Sequence, residues 1–257
     1  MTHKKLVTLT LLIILGFYYN CKNETDNNNF KLIERNSYFI DSYNGISVYR
    51  NNENRKPMSG YFVVGDKFKK WEEFKVKEGI LNGAYIIFHN NGKIFSQSHY
   101  VNGKLHGEEK TYDVLGNLSK ISTYNYGILY GKSKTYFDNG NIKSESKIKD
   151  EKVVESISYD LIGNIESQMF IKDGRSLTQT IKSGKVFSEY ISSNYDDFEA
   201  MKFFNEDGSL KLYFRMLEDG DKSYIIELNE NNEEIKRIDI KANPQEVFKY
   251  QEFLKQF

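Results

Sequence analysis

The side chains able to do chemistry are few in this 257-residue chain, and they do not converge. The four histidines are His3, His89, His99 and His106. The last three fall beside a turn, in mid-strand and in a linker. A metal site needs three or four convergent ligands, so none is expected. The serines lack the G-x-S-x-G elbow of a strained nucleophile. Asp and Glu are scattered through turns, where their oxygens accept from nearby backbone N–H groups. There is no Walker A loop and no strand–GxGxxG–helix unit, so no cofactor is expected either. The expectation is a non-enzyme. The enzymatic alternative is a glycan-acting hydrolase, which would need two carboxylates about 5–10 Å apart in a cleft. One non-catalytic cluster stands out: "KFKKWEEFKVK", Lys67 to Lys77, with five lysines, the sole Trp and two Phe. Lys69, Lys70, Trp71 and Phe74 form the candidate interaction surface, suited to an acidic partner, an anionic glycan or lipid headgroups. The competing reading is an edge strand whose lysines discourage edge-to-edge pairing. Glu72 and Glu73 dilute the basic field and favour that second reading.

The elements that must position these residues are strands. The 36 basic and 36 acidic residues cancel, which gives no electrostatic case for nucleic acid. With 19 Tyr, 18 Phe and two Pro, the composition suits half-buried pleated surfaces. A single Cys excludes an internal disulfide and any multi-cysteine metal site.

A repeat organises the chain. One glycine series falls at Gly92, Gly116, Gly140 and Gly163, and continues through Gly184, Gly208 and the Asn231-Asn232 pair. The Asp/Asn-rich contexts "HNNGKI", "DVLGNL", "FDNGNI" and "DLIGNI" predict β-hairpin tips. A second series, G-x-L-x-G, pairs Gly79 with Gly83, Gly103 with Gly107 and Gly127 with Gly131. It lies midway between the tips and is read as the joint between hairpins, where the backbone bends or approaches a neighbour closely. It decays into "EKVVE", "GRSLT" and "GDKSY". Phe88, Tyr112, Tyr136 and Tyr159 keep one register, Ile94, Leu118, Ile142 and Ile165 a second, and Tyr100, Tyr124 and Ile148 a third. Counting parity puts Phe88, Ile94 and Tyr100 on one face. "SYFIDSYNGISVYR" predicts a first hairpin turning at Asn44-Gly45, and an irregular unit covers Tyr49 to Lys77. At the far end, Asn243, Pro244 and Glu246 predict a capped helix start. Val247, Tyr250, Leu254 and Phe257 give that helix one apolar face, read as a cap over the end of the sheet.

The N-terminus carries different information. His3, Lys4 and Lys5 precede an apolar run from Leu6 to about Tyr19, too short for a comfortable membrane span. A basic start, a short apolar run and a sole Cys21 resemble a lipoprotein signal, which implies that Cys21 becomes the lipid anchor. Tyr18, Tyr19 and Asn20 stand where that motif has small residues, which leaves simple secretion or an uncleaved anchor as alternatives. "KNETDNNNFK" is too polar to bury itself and reads as a tether. The expected organisation is a signal peptide over 1–20, a tether over 21–36, a hairpin domain over 37–242 and a capping helix over 243–257.

"GKLHGEEKTYDVLGN" and "GILYGKSKTYFDNGN" resemble the bacterial variant of the MORN repeat, and "RKPMSGYF" is similar to the family's opening motif. The resemblance runs through about 50–175 and fades over 176–240. It implies an all-β, elongated, curved single sheet of tandem antiparallel hairpins with a period of about 24, closed by the short helix. Such proteins include YwqK-family antitoxins and repeat lipoproteins. The expected function is an exported, lipid-anchored scaffold at the cell envelope that binds a protein or an envelope polymer. The alternative is an antitoxin or immunity protein against a cognate toxin.

Overall fold

A computed structural model describes residues 30–193 and 195–254. The signal, Cys21 and the first part of the tether lie outside the described residues. Within them, alternating Tyr, Phe, Ile and Thr produce one open 20-stranded sheet. From Gly60–Gly65 onward, each strand pairs antiparallel with the next, ending at Glu234–Asp239. The hairpin Tyr38–Tyr43/Ile46–Asn51 turns at Asn44-Gly45 as expected, both residues having positive φ. It joins the sheet through the pairing of Val48 with Ile80.

The two glycine series mark opposite rims of this meander. Gly92, Gly116, Gly140 and Gly163 sit at three-residue turns in which the strand's last N–H and C=O close the loop, as in Asp113 N–H to Asn117 O at 2.9 Å. Such a type I turn needs a left-handed residue at its end, and Gly supplies it. The first glycine of each G-x-L-x-G pair is also a tip, not a strand interior as the joint reading supposed. Asn102 and Gly103 have φ of 50° and 77°, a two-residue turn of the kind that matches strand twist. Its N–H reaches back to the carbonyl of Leu81, and that of Gly127 to Leu105, at 2.8 and 2.7 Å. The leucine of one unit thus accepts from the tip of the next.

The second glycine of each pair marks a bulge. Between Phe74↔Tyr85 and Val76↔Leu81, Lys75 alone faces Asn82, Gly83 and Ala84. The same insertion recurs at Gly131, where Thr123 faces three residues. At "EKVVE" only Val154 is extra, and at "GRSLT" the register runs unbroken from Ser167↔Thr180 to Lys172↔Arg175. Decay of the motif therefore follows loss of the bulge, and the spacing of the tips shortens from 24 to 23 and then 21 across these two units before returning to 24 after Gly184.

Bulges also overturn the parity count. Register shifts between Ile87 and Phe88, so the two sides of that tip are out of phase. Tyr100 packs with Tyr85 on the face of the N-terminal core. Tyr112 instead donates its hydroxyl to Gln97, one residue out of phase with Tyr100 and so on the other face. That other face carries a polar ladder: Gln97, Lys110, Ile121, Lys134, Glu145, Ile157, Gln168, Gln179, Glu189 and Lys202 stand directly opposite one another in turn. Amide and carboxylate contacts run along it, Gln168 to Gln179 and Gln179 to Glu189 both at 2.7 Å.

Among the described residues, cores form only at the two ends of the sheet. Tyr49, Met58, Phe62, Val64, Phe74, Val76 and Leu81 make the first. Phe30–Ile33, expected in the tether, is a strand pairing parallel with Gly60–Gly65; Ile33 packs on this core. Its four-residue alternation is short enough to be lost in the polar run before it. At the other end, the helix Pro244–Leu254 lays Val247, Tyr250 and Phe253 over Phe203, Leu212, Phe214, Ile225 and Ile238. The side chain of Leu254, and Phe257, lie outside the described residues. The start is not the expected box: Asn243 donates its amide to the Asp239 carbonyl at 3.4 Å, and Glu246 reaches Lys236 instead. Leu177, Ile191, Ala200, Tyr213, Ile226 and Leu228 pack on the opposite face of the same strands. Between Leu81 and Ile191, Ile148 is the one buried apolar residue among the described residues. The middle is a single layer.

The helix is pinned by charge. Tyr250, fully buried, and Lys249 both donate to Oε1 of Glu227. Burial pushes the Glu227 carboxyl up, but these hydrogen bonds outweigh it and hold the group below its ordinary 4.5. A carboxyl depressed in the folded state stabilises that state above its unfolded pKa and loses the contribution as pH falls through the folded one. Helix docking is therefore expected to weaken below about pH 4.5, seen as loss of near-UV circular dichroism. Glu227→Gln should flatten that dependence. An unchanged acid profile in Glu227→Gln would remove this carboxylate from the account.

Candidate interaction surface

The residues expected to form a surface are separated by the pleat and by packing. Phe74 is 0% exposed, at the centre of the first core, so its ring presents nothing to a partner. Trp71 is half-buried against the same cluster. Lys69 donates to Asn90 Oδ1 at 2.9 Å, and Lys70 pairs with Glu73 at 2.8 Å. The strand Lys70–Lys77 is paired on both sides, so edge protection does not explain its lysines either. Alternation places Glu72 and Glu73 on opposite faces. Glu72 accepts from Tyr38 at 2.5 Å and Tyr85 at 2.6 Å and meets Arg35 at 3.2 Å. This carboxylate ties the first hairpin to the sheet beneath it. Burial, then the hydrogen bond to Glu72, pushes the Tyr38 and Tyr85 hydroxyls up, and burial with the charge of Glu72 takes Tyr49 to about 12. Glu73 accepts from Tyr61 and Lys70. Neighbouring carboxylates aimed at opposite faces do not make a hydrolytic pair.

The histidines are taken up locally. His89 Nε2 lies 2.9 Å from the Tyr112 carbonyl, and His106 packs on the Tyr126 ring at 4.5 Å. His99 stands opposite Ala84. Among the described residues, no group of three His, Cys, Asp or Glu is placed to hold a metal ion.

What the sequence reading missed lies on the rims. Five apolar residues at the three-residue-turn rim are 59–84% exposed: Phe68, Val114, Leu115, Leu161 and Ile162. The signal was present in "DVLGN" and "DLIGN", where two aliphatic residues occupy the middle of a turn that elsewhere reads "HNNGK" or "FDNGN". On the opposite rim, Tyr126, Ile128 and Tyr130 are about half exposed.

This is a surface-rich repeat sheet with no reactive centre among its described residues. A scan against known families matches the MORN repeat variant at residues 81–102 and 129–150. Each match begins on the Leu of a G-x-L-x-G motif, spans a three-residue turn and ends at the next two-residue tip. A search of curated proteins returns no match. MORN repeats are in general protein- or membrane-interaction motifs, and two stretches of this sheet match that repeat variant.

Proposed function

We propose that the protein is an exported scaffold, anchored at a bacterial cell envelope through lipidated Cys21, whose sheet presents an extended surface to a protein or envelope polymer. The observation that carries the scaffold reading is the single-layered middle. A sheet with one buried apolar residue between Leu81 and Ile191 has both faces and both rims open. Function on a repeat fold lives in such surfaces. Export and anchoring rest on the basic start, the Leu6–Tyr19 run and the sole Cys21. Labelled palmitate should enter the wild-type chain and not Cys21→Ser, and the variant should leave the membrane fraction. Equal labelling of both would overturn the anchor and leave the scaffold standing. Likeness to YwqK-family antitoxins supplies a second reading, neutralisation of one toxin outside the cytoplasm. Relief of a neighbouring gene product's toxicity on co-expression tests it.

A further inference from the structure

The apolar tips are built differently from the polar ones. In order along the rim, the first five turns are Asp66–Lys69, 89–93, 113–117, 137–141 and 160–164, and 182–185, 205–209 and 229–233 follow them. The first, third and fifth open on Asp, whose Oδ1 accepts from the N–H two residues on. These bonds are Phe68 at 2.7 Å, Leu115 at 2.8 Å and Ile162 at 3.0 Å. That frees the middle positions for apolar side chains. The second and fourth turns use Asn91 and Asn139 for the same duty, accepting from Lys93 and Asn141. The polar tips also satisfy the apolar ones. Asn91 donates to the Val114 carbonyl at 2.6 Å and Lys93 to that of Leu115, while Asn139 and Asn141 both donate to Leu161. The exposed aliphatic turns therefore have their peptide groups met from inside the protein. Their side chains contribute little to folding while they stand in water.

With neighbouring strands about 4.8 Å apart, successive tips stand about 10 Å apart. Apolar points at the first, third and fifth are symmetric about the third. Charge is not symmetric. Lys67, Lys69 and Lys93 outnumber Asp66 at the first two tips, while Asp138 and Asp160 stand without a lysine at the fourth and fifth. We infer that this rim is the contact between two copies of the chain, related by a two-fold axis through the Val114-Leu115 tip. Phe68 then meets Leu161 and Ile162 of the second copy, and the basic tips meet the acidic ones. A two-fold contact requires a self-complementary patch, and this rim supplies one. At the axis the two Asp113 carboxylates approach, but each accepts three hydrogen bonds within its own turn. Carboxylates at the third to fifth tips weigh against an anionic bilayer, and apolar points separated by polar tips weigh against the contiguous hot spot of an unlike protein. About 40 Å of rim, roughly 10 Å thick, buries on the order of 800 Å² in total, so the dimer is weak.

This goes beyond the scaffold reading and does not depend on export or anchoring. The test is disulfide cross-linking of the full chain in mild detergent, with Cys21→Ser throughout so that one introduced thiol is present. Leu115→Cys should form dimers by itself. Phe68→Cys mixed with Ile162→Cys should link several-fold more than either alone, and Asn231→Cys, on a later tip, serves as the background. Circular dichroism confirms folding of each variant. Leu115→Cys no better than Asn231→Cys would overturn the inference, as would Phe68→Cys linking to itself as well as in the mixture. Vesicle binding that Leu115→Asp abolishes, without any dimer, would assign the rim to a bilayer instead.

Discussion

Phe74→Ala is expected to destabilise the N-terminal end of the sheet by about 3–5 kcal/mol, the range for deleting a fully buried ring. Four rings surround Phe74, with centroids of Tyr49 at 4.8 Å, Tyr38 at 5.5 Å, Phe62 at 5.7 Å and Tyr85 at 6.2 Å. Two of them, Tyr38 and Tyr85, hold the Glu72 carboxylate by their hydroxyls. A cavity there both loses packing and loosens the donors to a buried charge. Trp71, the sole tryptophan, packs on the same cluster, so its fluorescence reports this end alone. The urea midpoint seen by Trp71 should fall sharply in Phe74→Ala. Phe74→Leu, which keeps most of the volume, should lose less than half as much. A wild-type midpoint for Phe74→Ala would mean that the ring is not the centre of this core.

The second large effect separates two glycines that look alike in sequence. Gly79 and Gly127 both open a G-x-L-x-G motif and have φ of +82° and +89°. Alanine at either carries the left-handed strain of about 1–2 kcal/mol. At Gly127 a Cβ meets nothing within 4 Å, so the loss should stop there. At Gly79 it would lie 2.6 Å from Val48 Cγ1 and 2.9 Å from the Tyr49 carbonyl. Those atoms belong to the hairpin folded over the sheet, and Tyr49 N–H already donates to the Gly79 carbonyl at 2.7 Å. Overpacking should add about 1–3 kcal/mol. Thermal unfolding of the two variants measures the difference. Equal shifts would show that Gly79 is a turn residue only and not a close approach.

Much of this fold was legible because turns have strict chemistry. "DVLGNL" and "FDNGNI" specify tips whatever surrounds them, and Val247 and Tyr250 place the helix by spacing alone. The faces were less legible. A bulge at Gly83 or a one-residue slip at Phe88 inverts the pleat, and nothing in a parity count announces it. The lysines of "KFKKWEEFKVK" misdirect for a related reason. Alternation sends Phe74 inward and Lys75 outward on one strand, so a basic segment and a buried core coexist. Phe30–Ile33 was hidden by its polar neighbours. The rim was hidden by an assumption that turns are polar, which Leu161 and Ile162 break.

The central claim is that two end cores support a single-layered middle kept open as surface. Hydrogen exchange of the backbone amides tests it most directly. The account predicts slowest exchange in Gly60–Gly65, Lys70–Lys77 and Lys222–Leu228, where buried apolar side chains surround the strands. It predicts markedly faster exchange through Ile142–Lys149, Lys152–Tyr159 and Ile165–Lys172, which have hydrogen-bonded neighbours but almost no packing above or below. A single uniform exchange class from Gly60 to Asp239 would contradict it, since the middle would then be as firmly held as the ends.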